Sequence, residues 1–114
     1  MELSITPEAR REGLMGRTSL GADEGLLMVF PQEQTIEIWM LNMRIPLDVA
    51  FFDRDGVLLE WSSMEPDGGR RIYASPRPAR YVLEMNRGWF GRHRLQPGAR
   101  LQIADAGGDP VAPR

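Results

Sequence analysis

Between Glu37 and Phe52 the chain reads EIWMLNMRIPLDVAFF, its longest run dense in apolar residues. Two strand-length pieces, Ile36 to Met40 and Leu47 to Phe52, flank Ile45-Pro46. Proline fixes its own φ and pushes the preceding residue to extended geometry, so the run bends there. Directly after it, Asp53-Arg54-Asp55-Gly56 reads as a hairpin turn, with Asp to start it and Gly for positive φ. Val57 to Ser62 then returns as the antiparallel partner. Strict alternation places Val57, Leu59 and Trp61 on one face and Leu58 and Glu60 on the other. A core strand with a dictated antiparallel neighbour makes a sheet the frame of the domain.

The remaining segments supply that frame with neighbours. Leu3 and Ile5 suit a short strand at the start. Thr6-Pro7-Glu8 is a helix start: a Thr cap, Pro in the first turn and an acid near the positive end of the helix dipole. The helix is expected from Pro7 to about Met15, with Gly16 as its left-handed cap. Ala9 and Gly13, four apart, give it a small-residue face that can approach a sheet closely, and Leu14 and Met15 give its end an apolar grip. Gly25 to Phe30 is a continuous apolar run, expected as a buried strand stopped by Pro31, with a turn over 31–34. Arg71 to Ala74 suits a short strand. In Tyr81 to Met85, alternation sets Tyr81, Leu83 and Met85 against Val82 and Glu84. Asn86 to Arg94 is expected as a short helix and Ala99 to Ala104 as a last strand.

These elements predict an α+β fold. A mostly antiparallel curved sheet or partial β-barrel carries the N-terminal helix packed on it and a short second helix. No repeated β-α-β pattern points to a doubly wound parallel sheet. A chain of 114 residues fits one domain, expected over residues 1–106, and 107–114, with two Pro and two Gly, is expected as a flexible tail.

Composition removes whole classes of chemistry. Without cysteine there is no disulfide, thiolate nucleophile or Cys-ligated metal. One histidine, His93, excludes a multi-His metal site within one subunit, and its setting between Arg92 and Arg94 reads as a solvated face. The methionines could serve as soft copper(I) ligands, with Met40 and Met43 the first place to look. The favoured reading is adaptable core filler, so no cofactor or metal is expected. No apolar run approaches the roughly 20 residues of a membrane span, and no basic and apolar leader follows Met1. The plain expectation is a cytoplasmic protein, an exported mature form with its leader removed being the alternative.

All 14 basic residues are arginine. Residues 1–66 hold five of them against twelve acids, a net −7; residues 67–114 hold nine against four, a net +5. Pairing of the two halves within one globule is favoured over an anion or nucleic-acid surface. Nucleic acid is therefore not expected as a partner, and oligomeric state is left open.

Five residues form the candidate ligand-binding pocket: Arg17, Trp39, Asn42, Asp48 and Glu84. Asp48 stands amid Leu47, Val49 and Phe51. An unpaired buried carboxylate costs several kcal/mol, so it needs a partner, with Arg17, Arg44 or backbone amides as candidates. The functional reading makes Trp39 an apolar wall facing Asn42, Asp48 and an arginine. The structural reading, favoured for Asp48, has it capping the loop and tying down Arg17; for Asn42 the two readings stand level. For Arg17 a salt bridge at the helix end is favoured over ligand contact. Glu84 with Asp48 would make a carboxylate pair fit for acid–base work. A surface or Arg-paired glutamate is the favoured reading of Glu84, and no catalytic residue is assigned.

Four blocks then align with one family: TPEARREGLMGR at 6–17; GLLMVF at 25–30; Trp39-Met40, Asn42, Pro46-Leu47-Asp48 and Phe51; and Pro78 to Glu84 with Asn86 and Gly88. In that order and spacing the chain resembles the bacterial and archaeal family catalogued as domain of unknown function 192, from residue 3 to about 104. The resemblance implies a small standalone domain, in many members exported or lipid-anchored, and carries no established activity. Where many members read Trp-Met-Lys-Asn-Thr, this chain has Leu41 and Met43 around Asn42, losing a lysine and a hydroxyl.

The functional expectation is a binding module for a small polar or anionic ligand or a partner segment. The alternative is a hydrolase or isomerase using Asp48 and Glu84 as acid and base, which needs their carboxyls within about 10 Å.

Overall fold

In the computed structural model, which describes residues 2–101, a five-stranded sheet organises the chain. Its strands are β1 (Glu2–Ser4), β2 (Gly25–Gln34), β4 (Leu47–Phe52), β5 (Leu58–Met64) and β7 (Ala79–Asn86), in the order β1-β2-β7-β4-β5. The sheet is open, and every neighbouring pair is antiparallel except β1 with β2. That parallel pair needs a crossover, which α1 (Pro7–Glu12) and its following loop provide. A separate two-stranded ribbon joins β3 (Glu37–Trp39) to β6 (Ile72–Ala74). The fold is α+β, as expected.

β4 lies between β7 and β5, and all six of its residues are buried. A strand covered on both faces reads as a continuous apolar run, which is why LDVAFF carries so little polarity. The turn after it forms as expected: the Asp53 carboxylate accepts from the N–H groups of Asp55 and Val57, both at 2.9 Å. The alternation beyond it does not. Phe51 pairs with Glu60 but Phe52 with Leu58, so Leu59 is the extra residue of a bulge. The bulge sends Leu59 and Met64 to one core and Leu58 and Trp61 to the other.

Those two cores cover the two faces. One contains Leu14, Met28, Val49, Phe51 and Val82; the other contains Leu27, Ala50, Leu83, Met85 and Phe90. β7 alternates between them as read from its sequence. Phe90 anchors α2 (Trp89–Arg92) with its side chain fully buried, stacked on Trp61 at 5.7 Å between ring centroids.

The N-terminal helix is shorter than expected. Thr6 Oγ1 accepts from the Ala9 N–H at 3.1 Å, but the helix ends at Gly13 rather than near Met15. Gly13 takes φ +52 and ψ −126, a conformation that favours glycine. No residue of α1 is buried; Leu14, 1% exposed, holds its end to the core. β2 is longer than expected, running through Pro31 to Gln34. Its pairing with β7 shifts register between Val29 and Gln34. Pro31 sits in that irregular stretch, where a missing N–H breaks no regular ladder. Of the expected last strand, Arg100 bridges Val57. Residues 102–104, and the tail expected over 107–114, lie outside the described residues.

Candidate functional site

Glu84 lies opposite Leu26 on β2 and Val49 on β4. Cross-strand partners share a face, so its carboxyl rises from an apolar row of the sheet. The end of α1 passes directly above. A methyl group at Gly13 would lie 3.6 Å from Glu84 Oε1 and 3.4 Å from Met28 Cε. The small-residue approach expected from Ala9 and Gly13 is thus made by Gly13, over Glu84. Glu84 is 4% exposed, and among the described residues no group donates a hydrogen bond to its carboxyl. Burial pushes that carboxyl up from 4.5 to about 7.

The carboxyl opens onto a cavity of about 290 Å³ between the end of α1, the β2–β7 face and β3 with the loop after it. Met15, Met28, Ile38, Trp39, Leu41 and Met43 form its apolar walls. Arg10, Arg11, Glu12 and Glu37 supply its other charged groups. Arg10 is already engaged: its guanidinium donates to the Ile5 and Val29 carbonyls and lies over the Phe30 ring.

Trp39, 48% exposed, forms an outer wall. It is backed by the Asp67 turn. The Asp67 carboxylate accepts from the N–H groups of Gly69, Arg70 and Arg71 at 2.9–3.2 Å. Desolvation alone would raise that carboxyl, but these amides outweigh it and hold it below its usual value. Gly69, at φ +87, is then so close that a methyl group there would lie 3.2 Å from Leu41 Cβ and 3.4 Å from the Trp39 ring.

Of the five candidate residues, the structure brings Trp39 and Glu84 together on one cavity and places the other three elsewhere. Asp48 pairs with Met85 while Val49 pairs with Glu84, so the two carboxylates point to opposite faces of the sheet. The Asp48–Glu84 acid–base pair therefore does not form. Asp48 is fully buried and partnered, accepting from Ser63 Oγ at 2.8 Å and from the Gly88 N–H at 3.0 Å. Neither Arg17 nor Arg44 is its partner; it ties the start of α2 to β4. Arg17 instead forms a salt bridge with Glu2, fastening the segment after α1 to β1. Asn42 is an exposed turn residue. Its φ of +59 suits asparagine better than most residues, the Met43 N–H closes the turn on the Met40 carbonyl, and the Asn42 carbonyl accepts from the Gly16 N–H at 3.1 Å. The hollow expected around Asn42 and Asp48 thus lies on the other face of the sheet from Asp48, over Glu84.

Sequence reasoning missed the walls. Leu41 and Met43, noted as departures from a family pattern, line the cavity, as do Met15 and the core residue Met28. Four C-terminal arginines contact the rest of the chain, one of them through an acid of the other half. Arg87 bonds Glu65, Arg80 donates to the Phe30 carbonyl, Arg92 to the Ala22 carbonyl and Arg100 to the Asp55 carbonyl. His93 is exposed and stacks on Trp89 at 4.1 Å. No helix among the described residues is long and apolar enough to cross a membrane.

Solved structures share this architecture. A Sinorhizobium meliloti 1021 protein, provisionally described as a transcription regulator, superposes with a TM-score of 0.83 at 35% identity, covering 87% of this chain and 77% of that one. A protein of unknown function from Novosphingobium aromaticivorans DSM 12444 gives 0.82 at 31% identity, covering 87% and 71%. No curated protein matches the chain. One family pattern, described as an uncharacterized ACR, matches residues 1–103, and with it the fold and the aligned blocks agree: the chain belongs to the DUF192 family.

Proposed function

We propose that this domain binds a small organic molecule in the cavity over Glu84. One observation carries the reading: a carboxyl that is 4% exposed, with no hydrogen-bond donor among the described residues, faces open space rather than packing. Its oxygens are not sealed in, Ser4 Oγ being the one fully enclosed side-chain atom without a partner among the described residues, so the carboxyl takes its hydrogen bonds from whatever fills the cavity. The setting fits a ligand site, being concave, walled by apolar side chains and rimmed by a few charged groups, with Glu84 the buried one. At about 30 Å³ per water, the 290 Å³ would hold a ligand on the order of ten non-hydrogen atoms.

The transcription-regulator description of the Sinorhizobium protein suggests a nucleic-acid partner, but the engagement of Arg80, Arg87, Arg92 and Arg100 within this chain favours the cavity. The test is a fragment screen followed by backbone amide NMR. Hits are expected to shift Gly13, Leu41, Met43 and Glu84, and Leu41→Trp, which fills the space, is expected to abolish those shifts. Shifts scattered elsewhere, or unaltered by the filling substitution, refute the reading.

A further inference from the structure

We infer that the ligand of this cavity is a small organic cation, a primary or secondary amine on a short aliphatic body, whose N–H groups donate to Glu84 while its hydrocarbon packs on Trp39, Leu41 and the lining methionines. The inference rests on the binding reading above and gives it a chemical class.

An ionised carboxylate is acceptor-only, and an ammonium is donor-only. Among the described residues none donates a hydrogen bond to Glu84, and neither Arg10 nor Arg11, both on the cavity wall, forms a salt bridge with it. Its row neighbours Leu26 and Val49 are apolar, and Met28 and Gly13 cover it from β2 and from the end of α1. The charged groups lining the same cavity are Arg10, Arg11 and Glu12 from the α1 side and Glu37 from β3. Two cations and two anions cancel, and Arg10 is committed to the Ile5 and Val29 carbonyls. Glu84 therefore sets the local sign.

Three ligand chemistries then rank themselves. A carboxylate would place like charges together in a medium of low polarity. An alcohol would supply one donor and leave the charge unbalanced. An ammonium supplies up to three donors and a counter-charge, and charge-assisted hydrogen bonds are roughly twice as strong as neutral ones. Trp39, half-exposed at the wall, adds an aromatic face that attracts a cation.

The experiment titrates the full chain with n-pentylammonium, 1-pentanol and pentanoate, followed by amide NMR shifts at pH 8.0 and pH 5.5. Pentylammonium is expected to bind tightest at pH 8.0. A carboxyl titrating at about 7 is about thirty-fold less ionised at the lower pH, so affinity is expected to fall about thirty-fold there. In Glu84→Gln, which removes the charge and keeps the shape, the pH dependence disappears and pentylammonium binds no better than pentanol. If pentanol or pentanoate binds wild type as well as pentylammonium, or Glu84→Gln binds the amine unchanged, the cation class is overturned while the cavity remains a site. If no probe shifts Gly13, Leu41 or Glu84, and Leu41→Trp behaves like wild type toward every fragment, the class and the site fall together.

Discussion

Replacing Glu84 by glutamine measures what the buried carboxyl costs the fold. In the folded chain it titrates at about 7, against 4.5 for the ordinary group. Below pH 4.5 the acid is protonated in both states and contributes nothing. Between 4.5 and about 7 the unfolded chain releases a proton that the folded chain keeps. The folded state then binds more protons, so stability falls as pH rises. Above about 7 both states are ionised and the penalty is constant. At about 1.4 kcal/mol per pH unit, the interval amounts to about 3 kcal/mol. Glutamine has the same shape and no charge, so it should match wild type near pH 4.5 and exceed it by up to about 3 kcal/mol at pH 8. With a urea slope near 1.5 kcal/mol per molar, that is a midpoint shift of roughly 2 M. Urea unfolding at half-unit pH steps reads both curves. A gap that stays constant from pH 4.5 to 8 refutes the reasoning, because it would mean the carboxyl is not perturbed. A glutamine variant less stable than wild type at pH 8 also refutes it, since that requires a partner holding the carboxylate.

Asp48→Ala tests the opposite case. It strands the Gly88 N–H and frees Ser63, two bonds to a charged acceptor, so a loss on the order of 3 kcal/mol in urea unfolding is expected, with fragment shifts at the Glu84 cavity preserved. Gly25→Ala drives a methyl carbon to 2.1 Å from Met85 Sδ and 2.4 Å from the Glu84 carbonyl, so an overpacking loss of about 1–3 kcal/mol or more is expected in thermal unfolding. Asp67 titrates below its usual 3.8 in the fold, so its contribution is full above about pH 4 and is lost as pH falls through the folded value. Asp67→Ala should flatten that acid limb in a stability profile from pH 2 to 5.

Much of the frame was legible because its causes are local. The Asp53 turn is set by four adjacent residues, the parity of β7 by one strand's alternation, and the Thr6 cap by a side chain three residues from its donor. What failed depends on register. Whether Asp48 and Glu84 share a face is decided by the pairing of β4 with β7, strands far apart in the chain, and a slip of one residue would reverse the answer. The bulge at Leu59 inverted a face in the same way, by one unpaired residue that alternation cannot announce. Pro31 read as a stop because its missing N–H forbids a regular ladder; the irregular pairing that excuses it is a property of two strands.

The candidate site was half-legible for a sharper reason. A polar residue inside an apolar block marks an energetic problem, and sequence shows the problem without showing whether the chain has solved it. Asp48 is solved by Ser63 and Gly88, contributed by two other segments. Asn42 is solved by its backbone, which uses asparagine's tolerance of positive φ to close a turn. Glu84 is buried as deeply as its strand neighbours, and no described residue answers it. The residue that reads most like a surface glutamate is thus the one with an open account, and the cavity lies where α1 stops at a glycine and comes no closer to it than backbone allows. A buried carboxyl that opens onto a cavity, rather than polarity in an apolar stretch, separates a ligand site from a structural knot in this fold; burial without a partner is not enough, since Ser4 Oγ has it and does not line this cavity.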